Sequence, residues 1–305
     1  MTSIHSLLTT EDLSKKEILS VFKLARDMKK NKFSNVLAKK SLGMIFEKPS
    51  TRTRVSFEVA MTQLGGHALN LSASDLQLSR GETIGDTAKV LSRYVDCIMA
   101  RVYSHQTLIE LASHATVPVI NGLSDIYHPC QALADIFTLF EHWKTLKNKT
   151  VAFIGDGDNN VTNSLVILAS QLGIHFSIAS PKKYETQKNI LNIAQSFSKL
   201  SHSNIKIMTD PYEAVKNADA VITDTWVSMG KTDDAARVKA FTPYQINKAL
   251  MRHAPNAYVL HCLPAHRNQE ITDEVMDGPQ SLVWDEAENR LHIQKAVLYI
   301  LINNQ

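Results

Sequence analysis

Residues Thr150-Val151-Ala152-Phe153-Ile154-Gly155-Asp156-Gly157-Asp158-Asn159-Asn160 read as an apolar strand, a glycine-containing turn and the first residue of a helix that continues to position 172. A strand that turns over glycines into a helix is the unit of a parallel α/β sheet, and loops at the carboxyl ends of such strands line the binding crevice. The alternation continues downstream, with strands expected at 175–179, 205–209, 220–224 and 257–260 and helices at 187–200 and 211–216. It also runs upstream, with strands at 42–47, 67–71, 96–101 and 117–121 and helices at 54–64, 84–94 and 106–114. A first helix starts near Thr10 and ends near Lys30.

A long helix at 129–143 and the charged, polar stretch 144–149 separate the two series. The expected domains are therefore residues 1–145 and 146–305, a division that suits the length of the chain. A terminal helix near 286–303 presents an apolar face and is expected to pack back on the first domain. The fold class is α/β: two domains, each a mostly parallel sheet flanked by helices.

Composition narrows the partners. At 44% apolar residues the chain can fill two cores, and 33 basic against 30 acidic residues leave a net charge of only +3. That balance does not suggest nucleic acid, which calls for Lys and Arg clustered on one face. Residues 1–22 lack the layout of a secretory signal, and no apolar run approaches the roughly 20 residues of a membrane span. Cys97, Cys130 and Cys262 are odd in number and widely spaced, which argues against a disulfide framework or a zinc site. A cytoplasmic location is expected.

Five segments carry candidate chemistry. Ser50-Thr51-Arg52-Thr53-Arg54 stands between a strand and a helix, where unpaired backbone N–H groups attract phosphate and the hydroxyls and Arg52 add donors and charge. An ordinary capped helix start fits the same residues. His128-Pro129-Cys130-Gln131 opens the long helix with proline at its first position; a histidine there is expected to stay neutral against the helix dipole and to donate to a carbonyl oxygen. The Gly155–Asn160 turn lacks the three-glycine dinucleotide spacing, and its acidic residues would repel a pyrophosphate. Asn160 suits a carboxylate or ammonium group, or a structural Asx turn. Asp224-Thr225-Trp226-Val227-Ser228-Met229-Gly230 follows another strand, with Asp224 able to pair with an ammonium group. His261-Cys262-Leu263-Pro264 ends a further strand, where Cys262 fits a nucleophile with His261 as base, or a small buried residue.

Taken in this order, the five segments resemble the carbamoyltransferases, specifically those that use ornithine, and the match extends to Glu288-Asn289-Arg290. The resemblance implies transfer of the carbamoyl group from carbamoyl phosphate to the side-chain amine of L-ornithine, giving L-citrulline and phosphate without a metal or organic cofactor. It implies a homotrimer, or a multiple of trimers, with Gln77 lent to a neighbour's donor site. By matching position, Ser50, Thr51, Arg52, Thr53, Arg101 and Arg290 would hold the phosphate, while His128, Pro129, Cys130 and Gln131 would face the carbamoyl group. Asn160, Asp224, Ser228 and Met229 match ornithine-binding positions, and Cys262 with Leu263 matches the reacting centre. The catalytic set implied is Arg52, Arg101, His128, Asp224 and Cys262. Two positions depart from the pattern: Thr225 replaces a more apolar residue, and Asn268 stands where glycine is common. Alternatives are another amine acceptor (aspartate, putrescine or an acylated ornithine), a nicotinamide-dependent oxidoreductase, or a catalytically silent relative.

Overall fold

The computed structural model describes residues 4–72, 74, 76–227 and 235–303. The chain divides into two compact units, Met1–Leu133 with Arg290–Gln305 and Ala134–Asn289. The first holds strands β1 (Ser41–Phe46), β2 (His67–Ser72), β3 (Cys97–Arg101) and β4 (Val119–Leu123) in the order β2-β1-β3-β4. All three pairings are parallel. Helices α1 (Lys15–Lys30), α2 (Thr51–Gln63), α3 (Ile84–Leu91) and α4 (His105–His114) belong to this unit, and α5 (Pro129–Trp143) begins in it. Every residue of β3 is buried, the continuous pattern of a strand covered on both faces, whereas β2 at the sheet edge is largely open.

The second unit carries β5 (Thr150–Ile154), β6 (His175–Ala179), β7 (Ile205–Met208), β8 (Ala220–Thr223) and β9 (Tyr258–His261), all parallel, in the order β7-β6-β5-β8-β9. Its helices are α6 (Asn160–Leu172), α7 (Lys188–Ser201), α8 (Pro211–Val215), α9 (Ala235–Phe241), α10 (Lys248–Met251) and α11 (Asp273–Met276). In both sheets the chain winds outward in one direction and then restarts in the other. That places a topological switch point between β1 and β3 and another between β5 and β8, where ligands of open α/β sheets bind.

The division into units falls inside α5 and inside the last helix, α12 (Val283–Asn303), rather than in the connection at 144–149. From Arg290 onward α12 packs back on the first unit, as expected. Lys295 is fully buried there, and its Nζ donates to Lys32 O (2.6 Å), Gln63 Oε1 (3.0 Å) and Met28 O (3.3 Å). The ammonium thus serves carbonyls beyond and within the last turn of α1, and burial lowers its pKa.

Element boundaries differ from expectation in places that local chemistry explains. Helix α2 starts three residues before position 54, because Ser50 is its N-cap and accepts from Thr53 N at 3.3 Å. Strand β4 starts at Val119 because Pro118 has no N–H to give a ladder, and Leu7 pairs with its far edge. Helices α9, α10 and α11 span only four to seven residues, too short to display a helical period in sequence. Among the described residues no helix is long and apolar enough to cross a membrane.

Candidate active site

In the first unit the chain leaving β1 runs through Glu47-Lys48-Pro49 into the Ser50 cap, so Thr51, Arg52 and Thr53 form the first turn of α2. Thr53 is fully buried, and its Oγ1 accepts from Arg290 Nη2 at 2.9 Å across 237 positions of sequence. Arg101 ends β3, the strand beside β1, and is buried. The Arg52 Nε is buried and donates to nothing among the described residues, which leaves a directional cationic donor at this helix start.

His128 immediately precedes α5, and its carbonyl accepts from Gln131 N (3.1 Å) and Ala132 N (3.2 Å). The imidazole is held neutral: burial pushes its pKa well below the ordinary value, and the charges of Arg290 and then Arg101 push it further. The expectation of neutrality holds, but the helix dipole is not its main cause. Pro129, Cys130 and Gln131 are all buried beside it, and burial lifts the Cys130 thiol to about 12 against the opposing pull of Arg290. Arg101, His128, Cys130 and Arg290 therefore share one electrostatic environment, with Thr53 tied to it by a hydrogen bond. Among the described residues, no hydrogen bond ties Gln77 to this group. It lies exposed on the single turn Gln77–Arg80.

Sequence reading missed Lys48. It is buried, with Nζ 4.3 Å from the centroid of the Tyr103 ring; burial and then the Arg101 charge lower its pKa. Its position two residues before Ser50 was the only available signal.

In the second unit, Asp224 follows β8 and Cys262 follows β9, the neighbouring strand. The Cys262 Sγ donates to Asp224 Oδ1 at 2.9 Å, and Thr225 N donates to the same oxygen at 2.7 Å. Burial and then the Asp224 charge raise the thiol pKa well above its usual value. Burial likewise raises Asp224, opposed by His261 and by the thiol hydrogen bond. A thiol held protonated and donating to a carboxylate is a poor nucleophile.

His261 is not the base for that thiol. Its Nδ1 accepts from Leu263 N at 2.9 Å, which places the proton on Nε2, and Nε2 donates to the fully buried Glu270 at 2.9 Å. Its own backbone N–H donates to Glu286 Oε2 at 2.8 Å. These bonds hold the Cys262-Leu263-Pro264 turn, in which Leu263 has φ +57 and the Leu263–Pro264 peptide is cis. Neither Glu270 nor Glu286 was picked out from sequence. Ligand atoms of Asp224, His261 and Cys262 lie within 4.8 Å of one another, but both imidazole nitrogens are committed, so the trio is a poor metal site.

Asn160 is the first residue of α6 and half-buried. The capping role belongs to Asn159, whose Oδ1 accepts from Thr162 N at 2.8 Å, so the Asx alternative applies to the neighbour. Gly155 has φ +140, and an added Cβ would stand 3.3 Å from Thr223 Oγ1. Ser228 and Met229 lie outside the described residues.

The model of the aspartate/ornithine carbamoyltransferase carbamoyl-P binding domain matches residues 5–141, and that of the Asp/Orn binding domain matches 147–301. The chain belongs to the aspartate/ornithine carbamoyltransferase family. It is 53% identical over 304 residues to the ornithine carbamoyltransferase of Pyrococcus horikoshii, covering 98% of this chain and 96% of that one. The solved ornithine carbamoyltransferase from Pyrococcus furiosus superposes with a TM-score of 0.96 at 50% identity, covering 99% and 98% of the two chains. The anabolic ornithine carbamoyltransferase from Campylobacter jejuni superposes at 0.93 with 46% identity, covering 98% and 99%.

The two departures from the carbamoyltransferase pattern are local. Asn268 adopts φ +64, the left-handed region that glycine enters freely and that asparagine tolerates best among the rest. Thr225 is buried next to Asp224 and donates its backbone N–H to that carboxylate, a bond that does not depend on its side chain.

Proposed function

We infer that this chain is an ornithine carbamoyltransferase, converting carbamoyl phosphate and L-ornithine to L-citrulline and phosphate. The observation that carries the chemistry is the pairing of fixed cations with a neutral imidazole. Arg101 and Arg290 stand beside His128, Arg290 is bonded to Thr53, and burial keeps the imidazole uncharged. Such a set neutralises a leaving phosphate and donates to a carbonyl without transferring charge to it.

On this reading the first unit binds the donor and the second the acceptor. Ser50, Thr51, Arg52 and Thr53 cradle the phosphate, with Arg101 and Arg290 adding charge. His128 and the Thr53 hydroxyl polarise the carbamoyl carbonyl, and Gln131 takes its amide end, with Pro129 and Cys130 shaping the wall. Asn160, Asp224, Ser228 and Met229 hold ornithine. Its uncharged side-chain amine attacks the carbonyl carbon; the C–N bond forms, and the C–O bond to phosphate breaks as the tetrahedral intermediate collapses. The Cys262 thiol and the Leu263 carbonyl help Asp224 to orient the amine, and the Asp224 carboxylate receives the proton it sheds. No acyl-cysteine is needed, because the donor is already an activated mixed anhydride, and catalysis consists of positioning and electrostatic stabilisation.

The chain works as a homotrimer or a multiple of trimers in the cytoplasm, with Gln77 completing a neighbour's donor site. The exposure of Gln77 supports this, and light scattering after gel filtration tests it. The decisive experiment is an acceptor panel of ornithine, acetylornithine, putrescine and aspartate with carbamoyl phosphate, following phosphate release. Ornithine should have the highest kcat/KM; equal values for putrescine would overturn the ornithine assignment while leaving carbamoyl transfer standing.

A further inference from the structure

Buried in α9 of the second unit, Arg237 belongs to none of the candidate segments. Its guanidinium reaches two of them. Nη2 donates to Asp156 Oδ2 as an ion pair, and Nε donates to Trp226 O at 2.6 Å. The cation also lies 4.6 Å from the centroid of Tyr184 and 5.1 Å from that of Phe241. Those two rings are 4.8 Å apart, and Trp226 stacks on Phe241 at 6.0 Å.

Each acceptor belongs to a segment ending at a strand of the switch point. Asp156 is fully buried; its Oδ1 accepts from Asp158 N at 3.0 Å and its carbonyl from Thr162 Oγ1 at 2.9 Å. It thereby fixes the turn from β5 into α6, whose first residue is Asn160. The turn is close-packed as well: a Cβ on Gly157 would stand 2.8 Å from both Ser180 Oγ and Tyr184 O. Trp226 lies two residues beyond Asp224, at the end of β8. One guanidinium therefore bridges the segment bearing Asn160 and the segment bearing Asp224.

A buried ion pair is an expensive way to gain stability, because desolvation offsets most of its attraction. What the planar fork supplies is geometry, since it bonds two acceptors in fixed directions at once. We propose that Arg237, together with Asp156, is a positioning residue that sets the spacing between Asn160 and Asp224 and thereby the enzyme's affinity for the amino-acid acceptor. The proposal rests on the assignment of the second unit as the acceptor side.

The test compares steady-state kinetics of the wild type, Arg237→Gln, Arg237→Lys, Asp156→Asn and the double variant Asp156→Asn/Arg237→Gln. Arg237→Gln and Asp156→Asn should each raise the KM for ornithine about tenfold or more, with kcat lowered less than about threefold. Affinity for carbamoyl phosphate alone, by calorimetry, should stay within about twofold, because the donor residues lie in the other unit. Arg237→Lys should recover part of the loss, and the double variant should be no worse than the poorer single one. If Arg237→Gln fails to melt cooperatively, Arg237→Lys and Tyr184→Leu, which weakens the stack but keeps the ion pair, carry the comparison. Should the wild type prefer another amine, the ornithine assignment fails by itself, and the same KM comparison is made with that amine. An unchanged acceptor KM in folded variants would overturn the proposal. So would equal losses of donor and acceptor affinity, the mark of general loosening.

Discussion

Replacing Arg290 by methionine tests whether the first unit is built around a phosphate dianion. The guanidinium is buried, donates to Thr53 at 2.9 Å and depresses the pKa of His128. A unit charge about 4 Å from another interacts by about 4 kcal/mol at an effective dielectric of 20, before the cost of desolvation. Truncating one partner of a buried charge-assisted contact costs about 2–5 kcal/mol in comparable sites. The expected loss of donor affinity is therefore about 2–4 kcal/mol, roughly 30- to 1000-fold in Kd. Global stability should change less, because no longer burying a charge partly offsets the loss of bonds such as that to Thr53.

The same variant has a pH signature. In the wild type the folded state holds His128 uncharged while the unfolded chain protonates it below about pH 6.5. The unfolded state then binds more protons, so stability falls as pH drops through that value, by up to about 1.4 kcal/mol per pH unit for this one group. Removing the Arg290 charge raises the folded pKa of His128, so the fall should end at a higher pH. Isothermal titration with carbamoyl phosphate and urea denaturation between pH 5 and 8 measure both effects. A donor Kd within about threefold of wild type would refute the assignment of Arg290 to the phosphate.

Three further outcomes follow from the second unit. Cys262→Ser keeps a small donor beside Asp224, so turnover should persist with a raised KM for ornithine; mass spectrometry of wild type quenched during turnover should find no carbamoylated cysteine. Asp224→Asn removes a charge that raises the Cys262 thiol, so iodoacetamide should label Cys262 faster at pH 8 than in the wild type, and an unchanged rate would refute the coupling. Glu270→Leu strips the acceptor from His261 Nε2 and from His266 N, the latter at 2.6 Å, and should cost about 2–4 kcal/mol in urea denaturation; a loss below about 0.5 kcal/mol would show that the turn holds without it.

How much of this was legible in the sequence depended on range. Strand–turn–helix units report themselves locally, through apolar runs and punctuating glycines, and every strand was found within two residues or so. Cap chemistry was legible too, although the Ser50 cap drew α2 three residues further back than its apolar pattern suggested. Contacts across long separations left no local trace. Nothing near Arg237 in sequence marks Asp156, 81 positions away, as its partner, and Glu270 reads as an ordinary charged loop residue until His261 is found pressed against it. The reason for a neutral His128 was likewise out of reach, because it lies in burial and in an arginine 162 positions further along the chain. Lys48 was overlooked for the opposite reason: a lysine beside a proline is unremarkable unless its burial is known.

Burial acts on the imidazole and on the thiols of the candidate residues with opposite sign and the same result. It lowers the imidazole of His128 and raises the thiols of Cys130 and Cys262, so each of these groups is uncharged at neutral pH and each can donate a hydrogen bond. The charge-bearing side chains among the donor residues are then arginines, which do not titrate in the working range. Such a set cannot run general acid–base chemistry by shuttling protons through His128 near pH 7, nor form a thiolate cheaply. On the proposed reading, the residues of the first unit hold a dianion and polarise a carbonyl, and those of the second offer a carboxylate, Asp224, for an amine. Those are the demands of a reaction whose donor is activated in advance, and they fall short of what hydrolysis of an unactivated amide would require. On the proposed mechanism the donor arrives already activated as carbamoyl phosphate, so an acyl-enzyme would add nothing to the path.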